Sequence, residues 1–490
     1  MVFNSHSFIM LFLPLCLAGY FLAGRLAGSR AAHVFMTAAS AVFVFWGFNI
    51  AGIAALAASI IFNYAFYRGI RISRHGKVLL AVAIAVNILI LFGLKYAKPI
   101  SIHMQPFFEA YLYGFVEKYI VIPLGISFYT FQQISFLMDA YRNEVPLCGF
   151  ADYCCYVTFF PKIISGPIIR HDQFLFQLKD EERIRFNWEN FSKGLFRFAM
   201  GLGKKVLIAD VLAAPANLVF SNPSAYTGIS AAAGLLAFAL QLYFDFSGYC
   251  DMAAGVASMF NFEIPENFDS PYKALNIKDF WNRWHITLTQ FLTRYVYFSL
   301  GGSRKGTLRT YINIMIIFLI SGLWHGSDTF KPFIVWGLMH GAAMVIYRIG
   351  GRQIDRLPKV VTRIITFIFV CIAWIPFRMP DLSSAFLMLK NMFSSVAAPL
   401  SGDVAMAFRL KEAAFFEQEF PNLAFAAGHP WIYCAVFLVF AMILVLFMKN
   451  SRQMTEKFVP SVKTLIFAAL IIGWSLMSLT GVGTFIYAGF

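Results

Sequence analysis

Long apolar stretches recur along this chain, at about 8–24, 34–49, 51–67, 78–94, 120–138, 151–169, 195–220, 229–247, 311–324, 332–347, 360–377, 425–448 and 464–480. No other feature constrains the fold as much. A membrane span needs roughly 20 apolar residues, and backbone groups in lipid must find their hydrogen-bond partners within the spanning structure. These runs are too long and too unalternating for barrel strands, so they are helices. Several are short or contain polar residues, which sets the expected number of transmembrane helices at 11 to 13. Composition agrees. The 490 residues are 59% hydrophobic and 13% charged, about half the charge of a soluble domain. The chain reads as an all-α polytopic membrane protein.

Its 40 basic residues outnumber 25 acidic ones, for a net charge of +15. Nucleic-acid binding is not the reason, because the basic residues gather in short loops between apolar stretches, where the positive-inside rule puts them. Those loops hold Arg25 and Arg30; Arg68, Arg71, Arg74 and Lys77; Arg304, Lys305 and Arg309; Arg348, Arg352, Arg356, Lys359 and Arg363; Lys449, Arg452, Lys457 and Lys463. The acids among them are Asp355 and Glu456. Segment 397–424 runs the other way, with Asp403, Glu412, Glu417 and Glu419 against Arg409 and Lys411. Both ends of the chain are therefore expected to face away from the cytoplasm. The run Phe8 to Ala23 follows no basic stretch and shows no small-x-small cleavage site, so it reads as a retained first span. Seven cysteines without a CxxC pair give neither a disulfide framework nor a zinc signature. No internal repeat or soluble insertion interrupts the pattern. Residues 1–490 are read as one membrane domain, with a motif-bearing core at 120–350 and C-terminal helices at 360–490.

The middle is different. From Asp245 to Thr310 the strong apolar runs stop, while aromatic and polar side chains become frequent. Phe280, Trp284, Leu288, Phe291 and Tyr295 recur at helical spacing, with Asp279, Arg283, Gln290 and Arg294 elsewhere on the wheel. The spacing predicts an amphipathic helix that lies at the interface or lines a cavity.

Ionisable groups at membrane depth are costly, and each calls for an explanation. FLISGLWHGSD places His325 beside Trp324 at the end of an apolar helix, IVWGLMHGAAM holds His340, and NRWHIT holds His285. Imidazole titrates nearest neutrality and can accept and return a proton. The competing reading is a neutral histidine that donates one hydrogen bond to a neighbouring helix, and it weighs more for His340 and His285 than for His325. No metal is expected, since three or four ligands would have to converge and there is no HExxH or similar pairing. Asp279 and Asp328 are candidate partners for the histidines. Asp245 and Asp251 in YFDFSGYCD either line a proton path or cap helices and pair with Arg283 or Arg294, the structural role being favoured. In FFPKIISGPIIRHDQF, Pro161, Gly166 and Pro167 break a helix beside Lys162, which faces a polar cavity or snorkels to an interface.

Taken together, YIVIPLGISFYTFQQISFLMDAYR, FFPKIISGPIIR, QLYFDFSGYCDMAAG, ENFDSPY, DFWNRWHITLTQFLTRYVYFSLGG and SGLWHG…WGLMHG, in this order, resemble the membrane-bound O-acyltransferase (MBOAT) family. The likeness is greatest to the bacterial branch that contains the alginate O-acetylation membrane protein, and it covers most of the chain. It implies a bundle of about eleven helices around a central channel, in the bacterial inner membrane. A cytoplasmic mouth would admit an acyl thioester and an outer funnel would face the acceptor. The family's invariant histidine matches His325, its second polar catalytic position matches His285, and His340 matches a position common in this branch.

The residues fit such chemistry. A neutral imidazole in a partly desolvated channel can take the proton of a hydroxyl as it attacks a thioester carbonyl. His325 could equally carry the acyl group covalently, and His285 could orient it or stabilise an oxyanion. The basic loops would attract the phosphates of acetyl-CoA, the expected donor, with no permanently bound cofactor. The expected partners are the lipid bilayer, a periplasmic acetyltransferase-like protein and an exported polysaccharide as final acceptor. The alternatives are D-alanyl transfer to teichoic acid and a non-catalytic acyl channel, although the inverted repeats of a transporter are missing.

Overall fold

The computed structural model describes residues 2–47, 49–119, 122–326, 329–395, 398–420, 428–479 and 485–486, without the side chains of 103–115 and 117–119. Asp328 lies outside the described residues. Among the described residues there is no strand, only an isolated bridge between Phe268 and Trp284.

Helix α1 (Leu13–Gly47) follows a π-turn at Ser7–Phe12 and is folded on itself at Gly28, whose φ of 79° favours glycine. Its two arms lie side by side, so that a Cβ on Gly24 would stand 3.6 Å from that of Ala32. Helices α2 (Ile50–Ile72) and α3 (Gly76–Tyr119) follow, bridged by Asn63 and Asn87, whose side chains hydrogen-bond each other at 2.8 and 3.2 Å. Such polar contacts hold helices together where lipid offers no hydrophobic driving force. Helix α4 (Ile126–Tyr141) is buried on nearly every side.

The stretch expected as a span at 151–169 does not cross. Helix α5 (Phe150–Thr158) stops after nine residues, and the chain doubles back through 159–170 into α6 (His171–Leu178). The Tyr156 hydroxyl closes this re-entrant loop by donating to the Ile169 carbonyl at 2.8 Å. Helix α7 (Trp188–Gly203), a π-turn at Lys204–Ala209 and α8 (Asp210–Ser221) form one continuous helical run. That run packs against α9 (Gly228–Met259) through two glycine pairs. Added Cβ atoms on Gly194 and Gly201 would lie 2.5 and 2.6 Å from the carbonyls of Gly255 and Gly248. Seven residues separate the members on each helix, which brings the two backbones into contact.

The amphipathic stretch is two short helices, α10 (Ile277–Arg283) and α11 (Ile286–Phe291), rather than one. Between them His285 adopts φ 44° and ψ 53°. Asn267 enforces the break: its carbonyl accepts from Ile286 N–H at 3.0 Å, and its side chain accepts from the Thr287 N–H at 3.1 Å and hydroxyl at 2.7 Å. Helices α12 (Thr307–His325) and α13 (Lys331–Ile354) then form a hairpin, followed by α14 (Lys359–Arg378). Three short helices, α15 (Leu382–Phe393), α16 (Gly402–Met406) and α17 (Lys411–Glu419), precede α18 (Trp431–Leu446), α19 (Ser451–Glu456) and α20 (Val462–Ser478).

Among the described residues, seven helices are long and apolar enough to cross a membrane. Two shorter apolar helices, α18 and α20, join them, and α1 contributes two arms. The protein is an all-α polytopic membrane protein. Its two ends differ chemically. At one, Asn276 meets Asp355 and Asn450 meets Asp269, tying together loops that carry the basic clusters. At the other, Tyr226 meets Asp403 and Trp474 meets Glu412, in the acid-bearing segment.

Candidate active site

His325 is the last residue of α12 and is 3% exposed. Glycine puts it there. Added Cβ atoms on Gly322 and Gly337 would each lie 2.4 Å from a carbonyl of the opposite helix, Phe333 and Phe318 respectively. Each glycine stands one helical turn before a histidine, and because the two helices run antiparallel, the crossing sets His325 and His340 on opposite sides of it. Trp336 separates them, its ring 5.3 Å from His325 and 5.0 Å from His340, centroid to centroid.

His285 reaches the same layer from the other direction. Its ring is 6.5 Å from that of His325, and both face Trp324, at 6.1 and 4.7 Å. It is 1% exposed, and its left-handed backbone is uncommon for a residue with a side chain. Such backbone strain collects at functional sites and persists only where the surroundings enforce it, here Asn267. Phe246 and Phe128 complete the wall, 5.0 and 6.3 Å from the His285 ring. Two buried imidazoles thus lie in one aromatic layer, 6.5 Å apart.

His340 is different. It is fully buried, its Nδ1 accepts from the Trp281 indole N–H at 3.3 Å, and Phe369 and Trp374 pack around it. An Nδ1 that accepts leaves the proton on Nε2. It accepts a hydrogen bond rather than donating one to a neighbouring helix, and its Nε2 is buried with no hydrogen-bond partner among the described residues.

The remaining candidates fall around this centre. Trp324, 2% exposed, stacks on Phe131 at 5.3 Å. Lys162 is 4% exposed, so it does not snorkel. It lies in the re-entrant loop, where its ammonium donates to the Gln132 side chain and to the Val157 carbonyl at 3.0 Å. With Phe128, Gln132 and Ile168 it borders a small void next to the His285 wall. Asp245 and Asp251 are paired, though not with Arg283 or Arg294. Lys205 binds Asp245 at 2.7 Å, while Lys204 and Arg197 bind Asp251 at 2.6 and 3.1 Å. The widened π-turn directs both consecutive lysines toward α9. Asp279 accepts from the Leu275 N–H and the Arg283 guanidinium, at 3.1 and 2.7 Å. It stands at the basic end and serves α10, not a histidine.

Two groups of residues escaped the sequence reading. Lys95 and Tyr96 hold the final turn of α12 through the carbonyls of Trp324 and Leu323. The signal was a lysine at the very end of the apolar run 78–94. Asp139, fully buried, accepts from the Tyr295 hydroxyl at 2.6 Å and lies 3.3 Å from His171 and 3.5 Å from Arg294, tying α4 to α6 and to the turn after α11. Its neighbour in sequence is Arg142, at 3.7 Å, while Tyr295, which donates to it, lies 156 residues away and could not be read locally. Among the described residues no group of three or more histidine, cysteine or carboxylate side chains gathers to hold a metal.

The fold and its centre are those of a polytopic helical bundle with two histidines buried close together. Residues 94–379 match the MBOAT, membrane-bound O-acyltransferase family. The chain belongs to that family and is a membrane-bound O-acyltransferase. It is 37% identical to a peptidoglycan O-acetyltransferase of Helicobacter pylori, over 80% of each chain. It is 38% identical to a probable alginate O-acetylase, AlgI, of Pseudomonas aeruginosa, over 80% of this chain and 75% of the other. A teichoic acid D-alanyltransferase of Bacillus subtilis is 30% identical over 51% of this chain and 66% of its own.

Proposed function

We propose that this enzyme moves an acetyl group from a cytosolic thioester, acetyl-CoA, to hydroxyls of an exported envelope polysaccharide, directly or through a periplasmic acetyltransferase-like partner. The observation that carries the reading is the pair of buried imidazoles, His285 and His325, 6.5 Å apart where the break between α10 and α11 meets the end of α12. The relatives that align over four fifths of the chain are named for O-acetyl transfer to peptidoglycan and alginate, which supports acetyl over D-alanyl. The basic end of the bundle faces the cytoplasm of a bacterial inner membrane by the positive-inside rule. Its loops attract the phosphates of the donor.

His325 acts as the base. Its neutral imidazole accepts the proton of the acceptor hydroxyl as that oxygen bonds to the thioester carbonyl carbon. The carbon–sulfur bond then breaks, and the imidazolium returns the proton to the departing thiolate. His285, across the compartment, stabilises the negative oxygen of the tetrahedral intermediate.

The test pairs two measurements. Mass spectrometry of envelope polysaccharide from cells with and without the protein should show acetyl esters lost in its absence. Purified protein in detergent, with partner and acceptor added, should consume labelled acetyl-CoA. A long-chain acyl thioester as the sole donor consumed would overturn the acetyl assignment. Loss of D-alanyl esters alone would overturn the acceptor.

A further inference from the structure

The last carbonyls of a helix have no partner within it. In water they are solvated; at membrane depth they must be met by protein. Helix α12 ends inside the bundle, and its last residue is His325. Two of its terminal carbonyls are met by one neighbouring helix. The Lys95 ammonium donates to the Trp324 carbonyl, and the Tyr96 hydroxyl donates to the Leu323 carbonyl at 2.6 Å. Lys95 is 1% exposed and sits 5.7 Å above the Trp324 ring. Among the described residues no carboxylate lies within ion-pair distance of it. Its Nζ is met instead by the carbonyl end of α12 and by the face of the indole.

The residue after His325 is adapted to the same contact. A Cβ on Gly326 would lie 2.4 Å from the Tyr96 hydroxyl, so only glycine there lets the tyrosine reach Leu323. The Gly326 N–H closes the turn on the Gly322 carbonyl at 3.1 Å. Gly322 is also the contact point with α13. The backbone on either side of His325 is therefore pinned from two directions, by α13 through glycine and by α3 through Lys95 and Tyr96.

From this geometry we infer that Lys95 is a positioning residue for the transfer reaction, a buried cationic cap that fixes the turn presenting the His325 imidazole. Tyr96 and Gly326 complete the device. Lys95 touches no reacting atom; it acts through the backbone of Trp324. The inference rests on His325 being the base, and the experiment separates the two.

Acetyl transfer from labelled acetyl-CoA is measured with purified protein for Lys95→Met, Lys95→Arg, Tyr96→Phe and His325→Gln. Loosening a reacting group by about 1 Å costs on the order of 100-fold in rate. Lys95→Met should therefore lower kcat by about that factor with KM for acetyl-CoA within about twofold of the parent. Lys95→Arg, which keeps a cationic donor, should recover to within about tenfold, and Tyr96→Phe should lose less than Lys95→Met. Parent-like kcat in Lys95→Met overturns the inference, as does a raised KM at unchanged kcat, which would make Lys95 a donor-binding group. If Lys95→Met does not accumulate, Lys95→Arg and Tyr96→Phe decide by the same split: parent-like kcat in Tyr96→Phe, or no activity in a well-folded Lys95→Arg, refutes it. An active His325→Gln defeats the base assignment itself. An inactive His325→Gln beside a fully active Lys95→Met defeats the positioning role alone.

Discussion

Helices α3 and α9 both cross the bundle, and they are built on opposite plans. The spanning part of α3, Gly76–Ile102, is the most apolar of the seven candidate spans and the least buried, with 17% of its most apolar window inside the protein. In α9 the figure is 83%, and the helix carries Gln241, Asp245, Ser247 and Asp251 toward its neighbours. A soluble protein would show the reverse, with the most apolar helix at the centre. In lipid the outer face has no reason to be polar, and the interior is held by close backbone packing and satisfied polar contacts. Apolarity therefore locates the shell, while glycine and paired charge locate the core. The proposed centre sits where the two plans meet, where α3 sends Lys95 and Tyr96 inward.

The comparison is broken most severely by filling the core seam. A side chain at Gly201 must occupy space 2.6 Å from the Gly248 carbonyl, on backbone that cannot move without parting α7 from α9. We expect Gly201→Leu to leave little or no folded protein, read as membrane yield and as the monodisperse fraction in detergent. A well-folded Gly201→Leu protein would mean that the glycine pairs do not set the helix spacing.

The next largest effect leaves the fold intact. His325→Gln keeps the size and hydrogen bonding of the side chain but cannot exchange a proton. With base catalysis worth about 10²–10⁴-fold, acetyl transfer should fall by that amount while the protein accumulates normally. His285→Ala should also impair transfer strongly. His340→Ala should lose less activity and more thermal stability, because its ring fills an aromatic cage and accepts from Trp281. Equal losses of activity at His325 and His340 would erase the distinction between them.

Much of this was legible in the sequence, for identifiable reasons. A histidine that closes an apolar run is conspicuous, since neither lipid nor packing calls for it. Pro161, Gly166 and Pro167 marked a broken helix beside Lys162, but the apolar run 151–169 still read as a span, and its reversal was not legible. What stayed hidden depends on contacts distant along the chain. The spacing of Phe280, Trp284, Leu288, Phe291 and Tyr295 continues smoothly through His285, and only Asn267, eighteen residues earlier, interrupts the helix there. The lysine partners of Asp251 and Asp245 come from a π-turn 47 and 40 residues upstream, a feature without a sequence signature. Lys95 went unnoticed because the burial of a lysine at the end of an apolar run cannot be read from its neighbours.

The smallest expected effect is the sharpest test of the two plans, because it lies within one helix. Leu89 and Leu91 are two residues apart on α3, with the same side chain in the same apolar run. Leu89 is 71% exposed toward lipid, and Leu91 is fully buried against the core. Truncating a buried leucine costs about 2–5 kcal/mol through lost contacts and the cavity left behind. Truncation at an outward position away from special contacts changes stability by about 0.5 kcal/mol or less. Lipid or detergent refills the space at Leu89, so Leu89→Ala should melt within experimental error of the parent. Leu91→Ala should melt clearly lower at the same detergent concentration, read by a thermal-unfolding assay on the purified protein. Because Leu91 lies one turn before Lys95, its loss should also reduce transfer activity modestly below the melting range, whereas Leu89→Ala should not. Indistinguishable variants would show that α3 has no inward face at this level, and that its hold on the turn bearing His325 begins only at Lys95.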